Sequence, residues 1–166
     1  MTLNLGSLLA ESAIRHPHQT AIISGDARLS YQQLDAAVRR CAQALETAGI
    51  QRGDRLAIML PNIPEFTIAY FAGLYRGCVL VTLNTLLSAD EVAFQLANSE
   101  ATGLVVDTEF LAAGGEGFSR TESCHLLYVT GMTGEALEGA TSFDELLSGA
   151  EHSDVVQTMP DETAVI

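Results

Sequence analysis

Between Leu34 and Ala48 the apolar positions Leu34, Val38, Cys41, Leu45 and Ala48 recur at alternating steps of four and three, while Gln32, Asp35, Arg39, Arg40 and Glu46 take the opposite face. That spacing predicts an amphipathic helix with one stripe turned to a core. Ser30 with Gln33 three residues later forms a capping box at its start, and Gly49 supplies its stop. Before it, Leu5, Leu8, Leu9 and Ala13 predict a short first helix that closes at His16-Pro17, because a residue before proline resists the α conformation. Thr20–Ser24 and Arg28–Ser30 flank Gly25-Asp26 and read as the two strands of a small hairpin.

From Arg55 the pattern changes to unbroken apolar runs. Arg55–Leu60 reads as a strand, Pro61-Asn62 as a turn, and Pro64 opens a helix whose run Phe66–Tyr75 is as long as a buried helix. Val79–Leu83 predicts the next strand; Ser88 with Glu91 caps a helix carrying Val92, Ala93, Leu96 and Ala97. Strands follow at Gly103–Val106 and His125–Val129. Ala112–Gly117, with three glycines in six residues, reads as a flexible loop. Ser142 and Glu145 predict one more cap, for a short helix through Leu147; 149–160 has linker composition, and Thr163–Ile166 reads as the start of a strand. Strands that alternate with helices, each apolar enough to be covered on both faces, predict an α/β fold: a largely parallel sheet flanked by helices, with a small N-terminal hairpin, in one subdomain spanning 1–166.

Composition narrows what such a domain can do. With 48% hydrophobic residues, 17% charged residues and a mean hydropathy of +0.22, the chain is apolar enough to build a core and not disordered. The net charge of -13 excludes a surface that tracks nucleic-acid phosphates. Its acidity is uneven: eight Asp or Glu face seven Arg up to Ser99, and thirteen face Arg120 alone from Glu100 onward, which reads as a solvated surface. Lys is absent, so no ammonium is available as a Schiff-base former or a depressed-pKa base. Cys41, Cys78 and Cys124 have neither disulfide nor zinc spacing, which suits a reducing, cytoplasmic setting. No basic leader precedes an apolar stretch, and no run approaches the ~20 residues of a membrane helix.

Local chemistry yields no catalytic assignment. His16 and His18 flank a proline with no third ligand nearby. The pairs Asp90-Glu91 and Asp144-Glu145 fall in first helical turns, where negative charge complements the dipole, so they read as structural in preference to an acid and base; Asp161-Glu162 is weighed the same way. Thr130–Glu135 has the small residues of an anion-binding loop after a strand. It lacks a Lys, however, and ends on the wrong charge, so it reads as a turn.

The order of segments adds what the single motifs lack. Arg28-Leu-Ser-Tyr-Gln-Gln-Leu34 resembles the first core motif of adenylate-forming enzymes. Gly49-Ile-Gln-Arg-Gly-Asp-Arg-Leu-Ala-Ile-Met-Leu-Pro-Asn-Ile-Pro-Glu-Phe66 is similar to the run that acyl-CoA ligases carry after the following helix. Gly77-Cys-Val-Leu-Val-Thr-Leu-Asn84, continuing through Leu86–Ala101, resembles the second core motif and its helix. Pro160-Asp-Glu-Thr-Ala-Val-Ile166 is similar to the lead-in to the family's phosphate loop. The likeness is weakest across 112–149, and Arg76, Thr82 and Asn98 depart from the usual residues, which bears on the substrate subclass.

The resemblance implies part of the larger N-terminal domain of an acyl-CoA ligase that activates a fatty or related carboxylic acid with ATP, releases pyrophosphate and passes the acyl group to CoA. In that family the phosphate loop, the Mg-binding Glu, the ribose-binding Asp and the mobile-domain Lys lie downstream of Ile166. The expectation is therefore a chain that stops short of the ATP phosphate-binding loop, holds no catalytic, cofactor or metal residue, and needs the rest of the ligase chain for ATP, Mg and CoA to act. Asn62 and Asn84, each just past a predicted strand, are the substrate-cleft candidates, with local capping as their structural reading. A homodimer is the candidate assembly. The alternatives are an aryl-acid or peptide-synthetase type adenylation domain, and a non-catalytic α/β module that binds a partner through its acidic second half.

Overall fold

The computed structural model describes residues 4–133, 138–151 and 154–166. Its elements follow the sequence pattern closely. Helix α1 spans Ser7–Arg15, strands β1 (Thr20–Ser24) and β2 (Ala27–Ser30) form an antiparallel hairpin around Gly25, and helix α2 spans Tyr31–Thr47. The capping box at Ser30 is present in full, Ser30 N–H donating to Gln33 Oε1 at 2.9 Å and Gln33 N–H to Ser30 Oγ at 3.2 Å. Gly49, just past α2, has φ of 96°, a left-handed conformation that admits glycine without strain.

The main sheet then alternates with helices: β3 (Arg55–Met59), α3 (Pro64–Tyr75), β4 (Val79–Thr82), α4 (Ala89–Asn98), β5 (Ala101–Asp107), α5 (Leu111–Ser119), β6 (Leu126–Thr130), β7 (Thr141–Ser142) and α6 (Phe143–Leu147). The five strands run parallel in the order β4-β3-β5-β6-β7. Successive strand residues point to opposite faces. Leu56 and Ile58 of β3 accordingly enter one core with α1, α2, α3 and α6, and Ala57 and Met59 enter a second with α4 and α5. All four are fully buried. A central strand covered on both sides contributes about 1.5–3 kcal/mol for each large apolar side chain removed from water, which is why β3 lacks the polar alternation of a half-exposed strand.

Three expectations are corrected. The segment Ala112–Gly117 is not a flexible loop but most of α5. A Cβ on Gly114 would lie 2.7 Å from Val106 Cγ2, and one on Gly117 2.6 Å from Val92 Cγ1. Those glycines let α5 approach β5 and α4 closely, so their lack of a side chain serves packing and not chain freedom. The cap expected at Ser142 does not form: the residue begins α6 with ψ of 134°, against 164° at the capping Ser30 and Ser88, and without a side-chain hydrogen bond. The 149–160 stretch is irregular but fastened over its described part. Val156 N–H donates to Tyr75 O at 2.8 Å, and the buried Asn4 amide donates to Val156 O and to Leu74 O at 2.7 and 2.8 Å. Thr163–Ile166 yields one parallel bridge, Leu80 to Val165.

Candidate functional site

The strand order determines where a ligand crevice can form. The chain places β4 on one side of β3 and then β5 on the other, so the direction of winding reverses between β3 and β5. In open parallel sheets ligands bind outside the carboxyl ends of the strands at such a switch point. The residues that emerge there are Leu60-Pro61-Asn62 after β3 and Asp107-Thr108 at the end of β5, with Leu83-Asn84 and Thr130-Gly131 on either side.

The two sequence candidates both lie on this edge, in different states. Asn62 is exposed and directly beyond the switch strand, and its amide makes no hydrogen bond among the described residues. Asn84, exposed one strand away, uses its Oδ1 to accept Leu86 N–H at 2.9 Å, and its backbone carbonyl accepts Leu87 N–H at 3.3 Å. That is a local turn, the structural alternative weighed for it from sequence. Asn62 keeps a free amide toward the crevice edge; Asn84 does not.

Asp107 and Thr130 were not singled out as a pair in the sequence. Thr130 Oγ1 donates to Asp107 Oδ2 at 2.6 Å, and Glu109 N–H donates to Asp107 Oδ1 at 2.9 Å. The carboxylate thereby ties the end of β6 to the end of β5 and starts the turn that leads to α5. The signal was a lone acidic residue directly after the apolar run Gly103–Val106, though its partner is 23 residues away. Gly131, at φ 71°, follows; a Cβ there would meet Thr108 Oγ1 at 2.9 Å. In the Thr130–Glu135 turn, Gly134 and Glu135 lie outside the described residues.

The remaining candidates are engaged elsewhere. Asp90 pairs with Arg120 at 2.6 Å, and Glu91 completes the α4 capping box. Asp144 and Glu145 occupy the first turn of α6, and Glu162 pairs with Arg52. Glu91 is held below the usual carboxylate range by the Ser88 backbone N–H first and the Ser88 hydroxyl second; Glu162 is held below it by Arg52. No three His, Cys, Asp or Glu side chains converge as a cation cage among the described residues. Two hollows of about 360 and 510 Å³, lined by Asn4, Cys78 and Thr163 and by Arg52, Arg55 and Val79, open at the amino-terminal edge of β3 and β4. Strand direction outweighs this enclosure in locating the site, because an edge open to solvent presents no cavity until something covers it.

Among the described residues no helix is long and apolar enough to cross a membrane. The family model described as AMP-binding enzyme matches residues 9–166. The chain is similar to the long-chain-fatty-acid–CoA ligase FadD13 of Mycobacterium tuberculosis, 39% identical over 98 residues that cover 58% of this chain and 20% of that protein. It is also similar to the 3-hydroxybenzoate–CoA/4-hydroxybenzoate–CoA ligase of Thauera aromatica, 31% identical over 147 residues, 88% of this chain and 28% of the other. The solved structure of the coronafacic acid ligase from Pectobacterium brasiliense superposes with a TM-score of 0.91 at 25% identity, covering 99% of this chain and 33% of that one. The chain thus spans about a fifth to a third of the length of these three proteins.

Proposed function

Because the chain belongs to the AMP-binding enzyme family, we propose that it forms the scaffold portion of a fatty-acid CoA ligase, of the long- or medium-chain type. In the reaction this implies, a carboxylate oxygen displaces pyrophosphate from the α-phosphorus of ATP, and the thiol of CoA then displaces AMP from the acyl carbon. This chain supplies the sheet edge against which those partners are held. Asn62 contributes its free amide to the substrate cleft, and Asn84 shapes the loop beside it. ATP, Mg and CoA are held by the rest of the ligase, and the chain alone is inactive. The absence of Lys from all 166 residues supports that division of labour. The three free, buried cysteines support a cytoplasmic setting.

One observation carries the reading. Leu80 N–H donates to Ala164 O at 2.8 Å and Ile166 N–H donates to Leu80 O at 2.9 Å, so the last residues run parallel to β4 and toward the edge that bears Asn84. The segment lies on the outer side of β4, with β4 and β3 between it and the β3–β5 switch point, and it leads toward the ligand-binding ends of the strands at the level of Asn84. The aryl-acid alternative stays in view because the hydroxybenzoate relative aligns over 88% of this chain and the fatty-acid relative over 58%.

Acid-dependent exchange of labelled pyrophosphate into ATP tests both parts. With dodecanoate or 4-hydroxybenzoate, the 166-residue chain is expected to give no exchange above background, and robust exchange would overturn the scaffold reading. In the longer ligase the better acid decides between the two substrate classes. Asn62→Ala there is expected to raise KM for the acid more than Asn84→Ala does; unchanged kinetics in both variants would remove the cleft role.

A further inference from the structure

Asn4 is 8% exposed, and both polar atoms of its side chain are bonded. Its Nδ2 donates to Leu74 O at 2.8 Å and to Val156 O at 2.7 Å, while its Oδ1 accepts Gly6 N–H at 2.7 Å. One amide thereby joins three segments: the turn before α1, the last turn of α3 and the strap formed by residues 154–166. Hydrogen bonds are directional and a buried donor is costly to leave unpaired, so the two accepting carbonyls are held at a fixed spacing.

The contacts around Asn4 are close. A Cβ on Gly6 would lie 2.8 Å from Tyr75 Cδ1, so the N-terminal turn sits directly against the end of α3. Gly77 has φ of 71°, and a Cβ there would meet Val156 Cγ1 at 3.2 Å and Thr158 Cγ2 at 3.4 Å. Val156 N–H donates to Tyr75 O, and farther along the strap Glu162 pairs with Arg52. That ion pair is exposed and contributes little, which leaves the buried Asn4 as the stronger side-chain fastening. Beyond it the strap meets β4, Ala164 O and Ile166 N–H both bonding to Leu80.

We propose that Asn4 is a positioning residue for ATP: by holding Val156 it fixes the strap, and the strap sets where the polypeptide beyond Ile166 reaches the ligand-binding ends of the strands. This rests on the scaffold reading above, in which the rest of the ligase holds ATP. Register is what links the two ends. A slip of one residue along β4 would displace the following chain by about 3.3 Å and turn its side chains to the opposite face.

Amide hydrogen exchange in the 166-residue chain tests the strap apart from any activity. Asn4→Ala is expected to speed exchange about tenfold, the value of one lost hydrogen bond, at Val156, Leu80 and Ile166, while the amides of β3 and β5 stay protected. Unchanged exchange at the strap, or equal acceleration in β3 and β5, overturns the proposal. In the longer ligase the same substitution should raise KM for ATP about tenfold and leave thioester formation from the preformed acyl-adenylate unchanged. Loss of both half-reactions would reduce Asn4 to general support of the fold, and an unchanged KM would disconnect the strap from ATP; either result counts against it. Val156→Pro removes the strap's own N–H bond to Tyr75 O with Asn4 in place, and should reproduce the rise in KM; it carries the test if Asn4→Ala does not fold. A normal KM in that variant would mean that the strap does not position ATP. Pyrophosphate exchange by the 166-residue chain would overturn the scaffold reading and leave the hydrogen-exchange result standing, so the two fail separately.

Discussion

At Gly117 a methyl group would stand 2.6 Å from Val92 Cγ1 and 3.0 Å from the Ala93 backbone nitrogen, whereas at Gly115 the nearest atom, Leu111 Cδ1, is 3.4 Å away. The two positions are two residues apart on α5 and respond oppositely to one substitution. Gly115→Ala gains helix propensity, about 1 kcal/mol, at little steric cost. Gly117→Ala gains the same propensity but forces α4 and α5 apart, and overpacking of this kind costs about 1–3 kcal/mol. Chemical denaturation should therefore find Gly115→Ala neutral to stabilising and Gly117→Ala destabilised relative to it. Equal stabilities would return the segment to the flexible loop that its composition suggests. A single letter in the sequence cannot distinguish a glycine that loosens a chain from one that tightens a contact, because the distinction resides in Val92 and Val106.

Among the elements, α4 carries a cap that titrates. Ser88 N–H donates to Glu91 Oε2 at 2.8 Å, and the Ser88 hydroxyl does so at the same distance. These bonds favour the ionised carboxylate and hold Glu91 below the ordinary value of 4.5. The unfolded chain therefore takes up the proton first as pH falls. The stabilisation is complete above the unfolded value and is lost as pH drops through the folded one. Glu91→Gln retains an acceptor that does not titrate. Between pH 5.5 and pH 3 the thermal midpoint of the parent chain should fall more steeply than that of the variant, and parallel curves would count against the linkage. The cap was legible in the sequence because its two residues stand three apart; Ser142 and Glu145 have the same spacing and form none, the Ser142 backbone having ψ of 134° where Ser88 has 164°.

Across the whole molecule, the three cysteines report how completely the two cores close. Cys41, Cys78 and Cys124 are free and buried, and desolvation raises all three thiols, Cys78 and Cys124 to about 12. Unfolded thiols titrate near about 8.5. Stability from keeping them neutral is fully present below that pH and declines as pH rises from there toward the folded values. Iodoacetamide at pH 8 should leave all three unmodified in the native chain and alkylate all three in denaturant, as mass spectrometry would read. Rapid native labelling would show that a core opens.

Local periodicity was sufficient for the hairpin, the helices α1 to α4 and the parallel α/β class, because spacing of apolar residues, capping pairs and turn glycines acts within a few residues of chain; the family was legible through the resemblance of the ordered motifs to those of acyl-CoA ligases. Tertiary structure alone decided the rest. The order β4-β3-β5-β6-β7 brings Asp107 and Thr130 together as a brace at the ligand edge, and it separates Asn62, with a free amide, from Asn84, which bonds to its own loop. It also places Tyr128 beneath α2, a helix 81 or more residues earlier, where its hydroxyl goes unpaired. Such features depend on which distant segments meet, and the free energy of that meeting is distributed over two whole cores and carried by no single motif.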